Sequence, residues 1–280
     1  MDIDFYDMNL RPPDKSIAEA FGSDEELIRL EGGQGTSYVS GNIVLKPSVN
    51  INKESWVADT FDKLLESNDV RFARPIRSID KSWSYKNYVA WSFLKGEHAK
   101  GKYRQKLSAS QAFHRLLKDI ERPGFFDFPP NSWSAADQVV WVKQKFNYDK
   151  EFLDLINQIT PHLKPLDLPN QLVHGDLSGN FLLGENLPPA IIDFSPVWAP
   201  NGFAEGVLLA DAIAWEDAAP ESLEIFNLIP DIHQFAWRGV LRRIVEQAEH
   251  IKWFGKDKSE AVEDARVFQK AIDYLKDNSS

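Results

Sequence analysis

The sequence predicts an α+β protein of two lobes, a small strand-rich lobe over residues 1–95 and a larger, mainly helical lobe over 96–280. Three observations carry this expectation. Short runs rich in β-branched and aromatic residues crowd the chain between Glu26 and Ser92. Beyond Gly96 the apolar residues recur at helical spacing instead. The 280 residues, 43% of them hydrophobic, exceed a minimal domain and supply the apolar surface of a sizeable core.

Taken in order, ELIRLE, TSYVS and NIVLK read as strands, a helical stretch runs from about Asn52 to Ser67, and VRFARPIRS and NYVAWSF read as further strands. The N-terminal lobe is thus a small antiparallel sheet with one helix inserted after its third strand. Helical periodicity follows at Leu107, Phe113, Leu116 and Leu117, then at Phe152, Leu153, Ile156 and Ile159, and again at Phe235, Val240, Leu241, Ile244 and Val245. Between these helices QLV, NFLL and PAIID are too brief for helices and are punctuated by Gly, Asn and Pro, so they read as short strands.

A net charge of −10 argues against nucleic acid and for a small-molecule partner. The absence of cysteine excludes disulfides, thiolate catalysis and cysteine metal sites. The opening MDIDFYDMNLRPPDK has no signal-like basic and apolar blocks, and no run approaches the roughly 18 apolar residues of a membrane span. A cytoplasmic location without membrane contact is expected.

Two segments carry chemistry. In EGGQGTSYVSGNIVLKP, Gly32, Gly33 and Gly35 form a turn between two predicted strands, and Lys46 closes the third. Glycines let backbone N–H groups approach a phosphate, although a plain hairpin turn uses the same residues. No Lys-Ser or Lys-Thr pair follows, so this is no Walker A loop. An inward lysine on a central strand needs an anionic partner; alternatively, Lys46 ends an edge strand before Pro47. In QLVHGDLSGNFLLGENLPPAIIDFSP, His174, Asp176, Asn180 and Asp193 fall in two adjacent loops after short strands. Phosphoryl transfer needs a carboxylate at the acceptor hydroxyl and oxygen ligands for magnesium, and this set supplies both.

HGDLSGN and IIDFS resemble the catalytic loop and metal-binding motif of the aminoglycoside phosphotransferase and choline kinase family, relatives of protein kinases. LPPAIIDFSP is similar to the text of an uncharacterised bacterial subgroup. The resemblance implies a protein-kinase-like fold, ATP and Mg2+ as cofactors, Asp176 as catalytic base, His174 as a brace of the loop, and Asn180 and Asp193 as metal ligands. It further implies that Lys46 meets the α- and β-phosphates, oriented by Glu54 or else by Asp59 or Asp62. The backbone of Ser92 to Leu94 would meet adenine at a hinge near 92–96. Asp176 and Asn180 are four apart, one residue closer than in the usual family loop.

The implied activity is transfer of a phosphoryl group to a hydroxyl or amine of a small molecule, and the excess of acid suits a cationic or aminated acceptor. The shortened loop leaves open a nucleotide-binding module without catalysis. A protein kinase is a further alternative, disfavoured because DFG and APE texts are missing.

Lesser expectations concern single residues. Asp211 either supports the catalytic loop from a helix or is a solvated acid beside Glu216 and Asp217. Arg238, Arg242 and Arg243 read as a solvated helix face paired with Glu246. Trp56, Trp133, Trp141, Trp215, Trp237 and Trp253 read mostly as core. Trp198, in a stretch broken by Pro and Gly, reads as irregular chain that could line the acceptor pocket. His98, His114, His162, His233 and His250 lack metal-ligand spacing and receive no function.

Overall fold

The computed structural model describes residues 12–31, 35–48, 50–127, 131–141 and 146–278. The chain divides into two compact units between Gly96 and Glu97.

The first unit opens with a helix the periodicity did not announce, α1 (Lys15–Ala20), whose N-cap Asp14 accepts the Ser16 N–H at 2.8 Å. Strands β1 (Ile28–Arg29), β2 (Tyr38–Ser40) and β3 (Ile43–Pro47) precede α2 (Ile51–Lys63). Then come β4 (Arg71–Phe72), β5 (Pro75–Ile76), β6 (Ser84–Tyr85) and β7 (Tyr88–Ser92). VRFARPIRS therefore splits into two short strands around Ala73 and Arg74. The antiparallel sheet runs β1-β2-β3-β7-β5, with β6 also on β7. Ile43 and Leu45 point to one face, where they pack with Ile17, Ala18, Phe21 and Ala90.

The second unit starts with β8 (Glu97–His98) and the helices α3 (Tyr103–Leu117), α4 (Ser132–Val139) and α5 (Lys150–Ile159). The strands β9 (Asn170–His174), β10 (Phe181–Gly184), β11 (Leu187–Ile191) and β12 (Pro196–Pro200) carry the loops of interest. Five helices close the chain: α6 (Phe203–Ala214), α7 (Pro220–Leu223), α8 (Ile232–Phe254), α9 (Lys258–Arg266) and α10 (Gln269–Asn278). Every residue of α6 is buried, and α8 buries apolar side chains on nearly all sides, as central helices do. They cross where Gly206 faces Gly239, so closely that a Cβ on Gly239 would lie 2.8 Å from the Gly206 carbonyl oxygen.

Three expectations are corrected here. Arg238, Arg242 and Arg243 are buried, not a solvated face. Trp237 is fully buried, but Trp215 and Trp253 are about half exposed. The stretch holding Trp198 is a regular strand, β12, paired antiparallel with β9 from Pro196↔His174 to Pro200↔Asn170. Prolines at both ends of a strand in a two-stranded ribbon break few ladder bonds, because each strand there is an edge. Trp198 lies opposite Leu172, with its ring 6.2 Å from that of Phe126.

Candidate active site

The β9–β12 ribbon and the β10–β11 hairpin place the two polar loops side by side. After β9 the chain turns through Gly175, whose N–H donates to the Ser195 carbonyl at 2.8 Å. A Cβ there would meet the Val197 side chain at 2.3 Å, so only glycine permits this approach. The Phe181↔Ile191 register continues into a bond from the Ile192 N–H to the Asn180 carbonyl at 3.0 Å. Asn180 therefore stands next to the residue that precedes Asp193.

The shortened loop closes as a tight turn. Gly179 adopts φ +76°, and the Asn180 side-chain amide donates to the Asp176 carbonyl at 2.7 Å. With its NH2 group used in this way, Asn180 keeps its side-chain oxygen as the acceptor end. Asp193 is exposed and takes φ +50°, a conformation that aspartate tolerates better than most residues. A carboxylate and an amide oxygen form a hard, incomplete ligand set. It suits magnesium, which retains water and uses phosphate oxygens; among the described residues no group of three His, Cys, Asp or Glu is placed to hold a metal ion.

His174 is wholly buried and ties the loops together. Its Nδ1 accepts the Asp176 N–H at 3.1 Å, so its Nε2 carries the proton and donates to the Ile192 carbonyl at 3.1 Å. Burial drives its pKa down to about 4, and the imidazole is neutral. Its own backbone N–H donates to Nε2 of His114 at 3.1 Å. His114, fully buried on α3, leans on Glu205 of α6, with Nδ1 3.4 Å from Oε1. Ser110 donates to the same oxygen at 2.6 Å. Sequence reasoning left His114 and Glu205 without a role. The one available signal was their position in otherwise apolar helix faces.

The Asp176 side chain is reachable, 36% exposed. Burial raises its carboxyl, but the Arg243 and Arg242 guanidiniums outweigh that and hold it below the usual carboxylate range. Arg243 donates from Nη2 to Asp176 Oδ1 at 2.7 Å. It also grips Asp211 twice, from Nη2 at 2.6 Å and from Nε at 2.9 Å, and reaches Glu246 at 3.2 Å. Arg242 binds Glu246 at 2.9 Å and Asp137 at 2.6 Å. Burial works against charge on Arg243, but Asp211, Asp176 and Glu246 outweigh it and keep the guanidinium well above its ordinary value. Asp211 is thus buried rather than solvated, and Arg243 links it to the Asp176 side chain of the loop.

The remaining candidates lie in the first unit. Gly32 and Gly33 fall outside the described residues. Gly35 takes φ +63° and its carbonyl accepts from Arg29 Nε at 2.6 Å, in the turn between β1 and β2. Lys46 is half-buried on β3, which is a central strand and not an edge, on the face opposite Leu45. Glu54 is half-buried in the first turn of α2. Asp59, the alternative, accepts the Trp83 indole N–H at 2.7 Å and lies 3.9 Å from Arg77, which is 3.8 Å from Asp62. The N–H of Ser92 donates to the Arg74 carbonyl and that of Phe93 to the Asn42 carbonyl. Among the described residues no helix is long and apolar enough to cross a membrane.

Residues 58–197, half of the chain, match the family described as Phosphotransferase enzyme family. No curated protein matches the sequence. Among solved structures, the chain is similar to a choline kinase from Streptococcus pneumoniae, with TM-score 0.58 and 10% identity over 94% of this chain and 97% of that one. A microcompartment-associated aminopropanol kinase gives TM-score 0.60 at 12% identity over 94% and 95%. An aminoglycoside phosphotransferase from Alicyclobacillus acidocaldarius subsp. acidocaldarius gives 0.58 at 13% over 95% and 96%. At such identities the likeness is one of fold, and the fold is protein-kinase-like.

Proposed function

The chain belongs to the phosphotransferase enzyme family, and from that membership we propose that it moves the γ-phosphoryl group of ATP to a hydroxyl of a small molecule with magnesium. One observation carries the reading: Asp176 is held yet reachable, while the tight turn at Gly179 sets Asn180 beside the Ile192–Asp193 segment. That turn keeps Asn180 next to the Asp193 segment despite the shorter loop, and it is the support for preferring an active enzyme to a module that only binds nucleotide.

In this reading the acceptor oxygen forms a bond to the γ-phosphorus as the bond to the β–γ bridging oxygen breaks, ADP leaves, and Asp176 takes the hydroxyl proton. His174 braces the loop from below. Asn180 and Asp193 would hold magnesium, which when bound neutralises charge on the phosphates. Lys46 would meet the α- and β-phosphates and Glu54 would orient it, since Asp59 and Asp62 are turned to Trp83 and Arg77. Gly32, Gly33 and Gly35 would cover the phosphates. Of the segment from Ser92 to Leu94, Leu94 is the residue whose backbone we assign to adenine, because the N–H groups before it are spent within the protein. The subgroup suggested by LPPAIIDFSP, a cytoplasmic location and a cationic or aminated acceptor belong to the same proposal.

A panel of choline, aminopropanol, amino sugars and aminoglycosides, tested for ADP release from magnesium-ATP, examines it. Asp176→Ala and Asp193→Ala should each lower turnover by at least about a hundredfold while still melting cooperatively. Normal ADP release by Asp176→Ala with an accepted substrate would refute the assignment. Thermal stabilisation by magnesium-ATP without transfer to any acceptor would select the binding module instead.

A further inference from the structure

We infer that Arg243 is a positioning residue: it pins one carboxylate oxygen of Asp176 so that the other is presented to the acceptor hydroxyl. The inference deepens the proposed reaction and rests on it. The main chain of Asp176 is fixed at both ends, its N–H on His174 Nδ1 and its carbonyl under the Asn180 amide. Its Oδ1 is taken by Arg243 Nη2. Among the described residues no hydrogen bond goes to Oδ2, on a side chain that is 36% exposed.

The guanidinium doing this has no freedom of its own. It makes two bonds to Asp211 and one to Glu246, and the Trp215 ring lies against it, 4.7 Å from its centre. Its side chain is 4% exposed. Three elements thereby fix one plane: α8 supplies the arginine and Glu246, α6 supplies Asp211, and Trp215 follows directly after α6. Arginine suits the task because its fork reaches two carboxylates in fixed directions, which an ammonium cannot do.

A purely structural role would stop at Asp211 and Glu246, which already give Arg243 its countercharge. The bond to Asp176, from the Nη2 that also serves Asp211, places a cation on the proposed base and makes it a poorer proton acceptor. In phosphoryl transfer, orientation of the attacking oxygen matters more than base strength, so a fixed carboxylate compensates for a weaker one.

The test compares Arg243→Lys, Asp211→Asn and the double variant Arg243→Met with Asp211→Asn, which removes the cation without stranding a buried carboxylate at 211. Asp176→Asn accompanies them. The readouts are kcat and KM for ADP release from magnesium-ATP, with water alone and with the acceptor panel. Relative to Asp211→Asn, the double variant should lose roughly tenfold to a hundredfold in kcat at unchanged KM for ATP. Arg243→Lys should fall between wild type and the double variant. A double variant that melts cooperatively and keeps kcat within twofold of Asp211→Asn would overturn the inference. Should the double variant not fold, Arg243→Lys decides: full wild-type kcat overturns the inference and a severalfold loss supports it. Full turnover by Asp176→Asn, or no ADP release by wild type, would remove the underlying reaction and the inference with it. Loss of turnover in Asp176→Asn with no effect at Arg243 would sink the inference alone.

Discussion

Replacing Gly239 with alanine sets two effects of known size against each other at the centre of the second unit. Alanine is favoured over glycine inside a helix by about 1 kcal/mol, so propensity alone predicts a more stable protein. The added Cβ, however, would lie 2.8 Å from the Gly206 carbonyl oxygen and 2.9 Å from the Val207 Cα. Both are backbone atoms of a buried helix, and neither can swing aside as a side-chain tip would. Overpacking of this kind costs typically about 1–3 kcal/mol, and the upper end applies where backbone must shift. The net expectation is a loss of about 1–2 kcal/mol. For a unit of this size that lowers Tm by roughly 2–8 °C. Catalysis should suffer as well, because Arg243 lies one helical turn beyond Gly239 and Asp211 shortly beyond Gly206. Spreading the crossing lengthens the Arg243–Asp211 bonds, now 2.6 and 2.9 Å, and displaces Asp176 with them. Thermal melts followed by circular dichroism, with ADP-release kinetics at 25 °C, measure both. A Gly239→Ala protein that melts at or above the wild-type temperature would refute the reasoning, since it would mean that propensity outweighs contact.

Two further outcomes follow from buried charge. The neutral His174, with its pKa pushed down to about 4 by burial, takes up its proton later than the unfolded chain does as pH falls. Stability is therefore lost from about pH 6.5 downward, by about 2.5 kcal/mol at pH 4.5 for this group. Urea denaturation at pH 7.5 and 4.5 should show a smaller acid loss in His174→Asn than in wild type, and equal losses would contradict the neutral assignment. Asp137→Ala removes the 2.6 Å partner of Arg242, whose side chain is 2% exposed. Breaking such a pair costs about 3–5 kcal/mol, the lower end applying because Glu246 remains. A loss under 1 kcal/mol in chemical denaturation would show that Arg242 finds water or another partner.

The parts of the site that could be read from sequence are those whose partners are close along the chain. His174, Asp176 and Asn180 share a single turn, and Asp193 is one hairpin away, so strand signals flanking HGDLSGN and IIDFS were enough to place them. β12 was missed because Pro196 and Pro200 argue against a strand in general, and only its isolation as a two-stranded ribbon makes them harmless. The arginines failed for a different reason. Helical spacing with Glu246 on the next turn describes a solvated face and a buried ion network equally well. The distinction lies in what stands opposite, and Asp137, Asp176 and Asp211 come from distant parts of the sequence. A hint was present in the company those arginines keep: Ile232, Phe235 and Ala236, together with Trp237, Val240, Leu241, Ile244 and Val245, spread around α8 and leave little polar side on which a guanidinium could meet water. A cation on a helix that is buried on nearly all sides must find carboxylates within the protein, and here one of those it finds beyond its own helix is Asp176. The long-range pairing that was least legible is thus the one that joins the core of the helical unit to the group proposed to receive the proton.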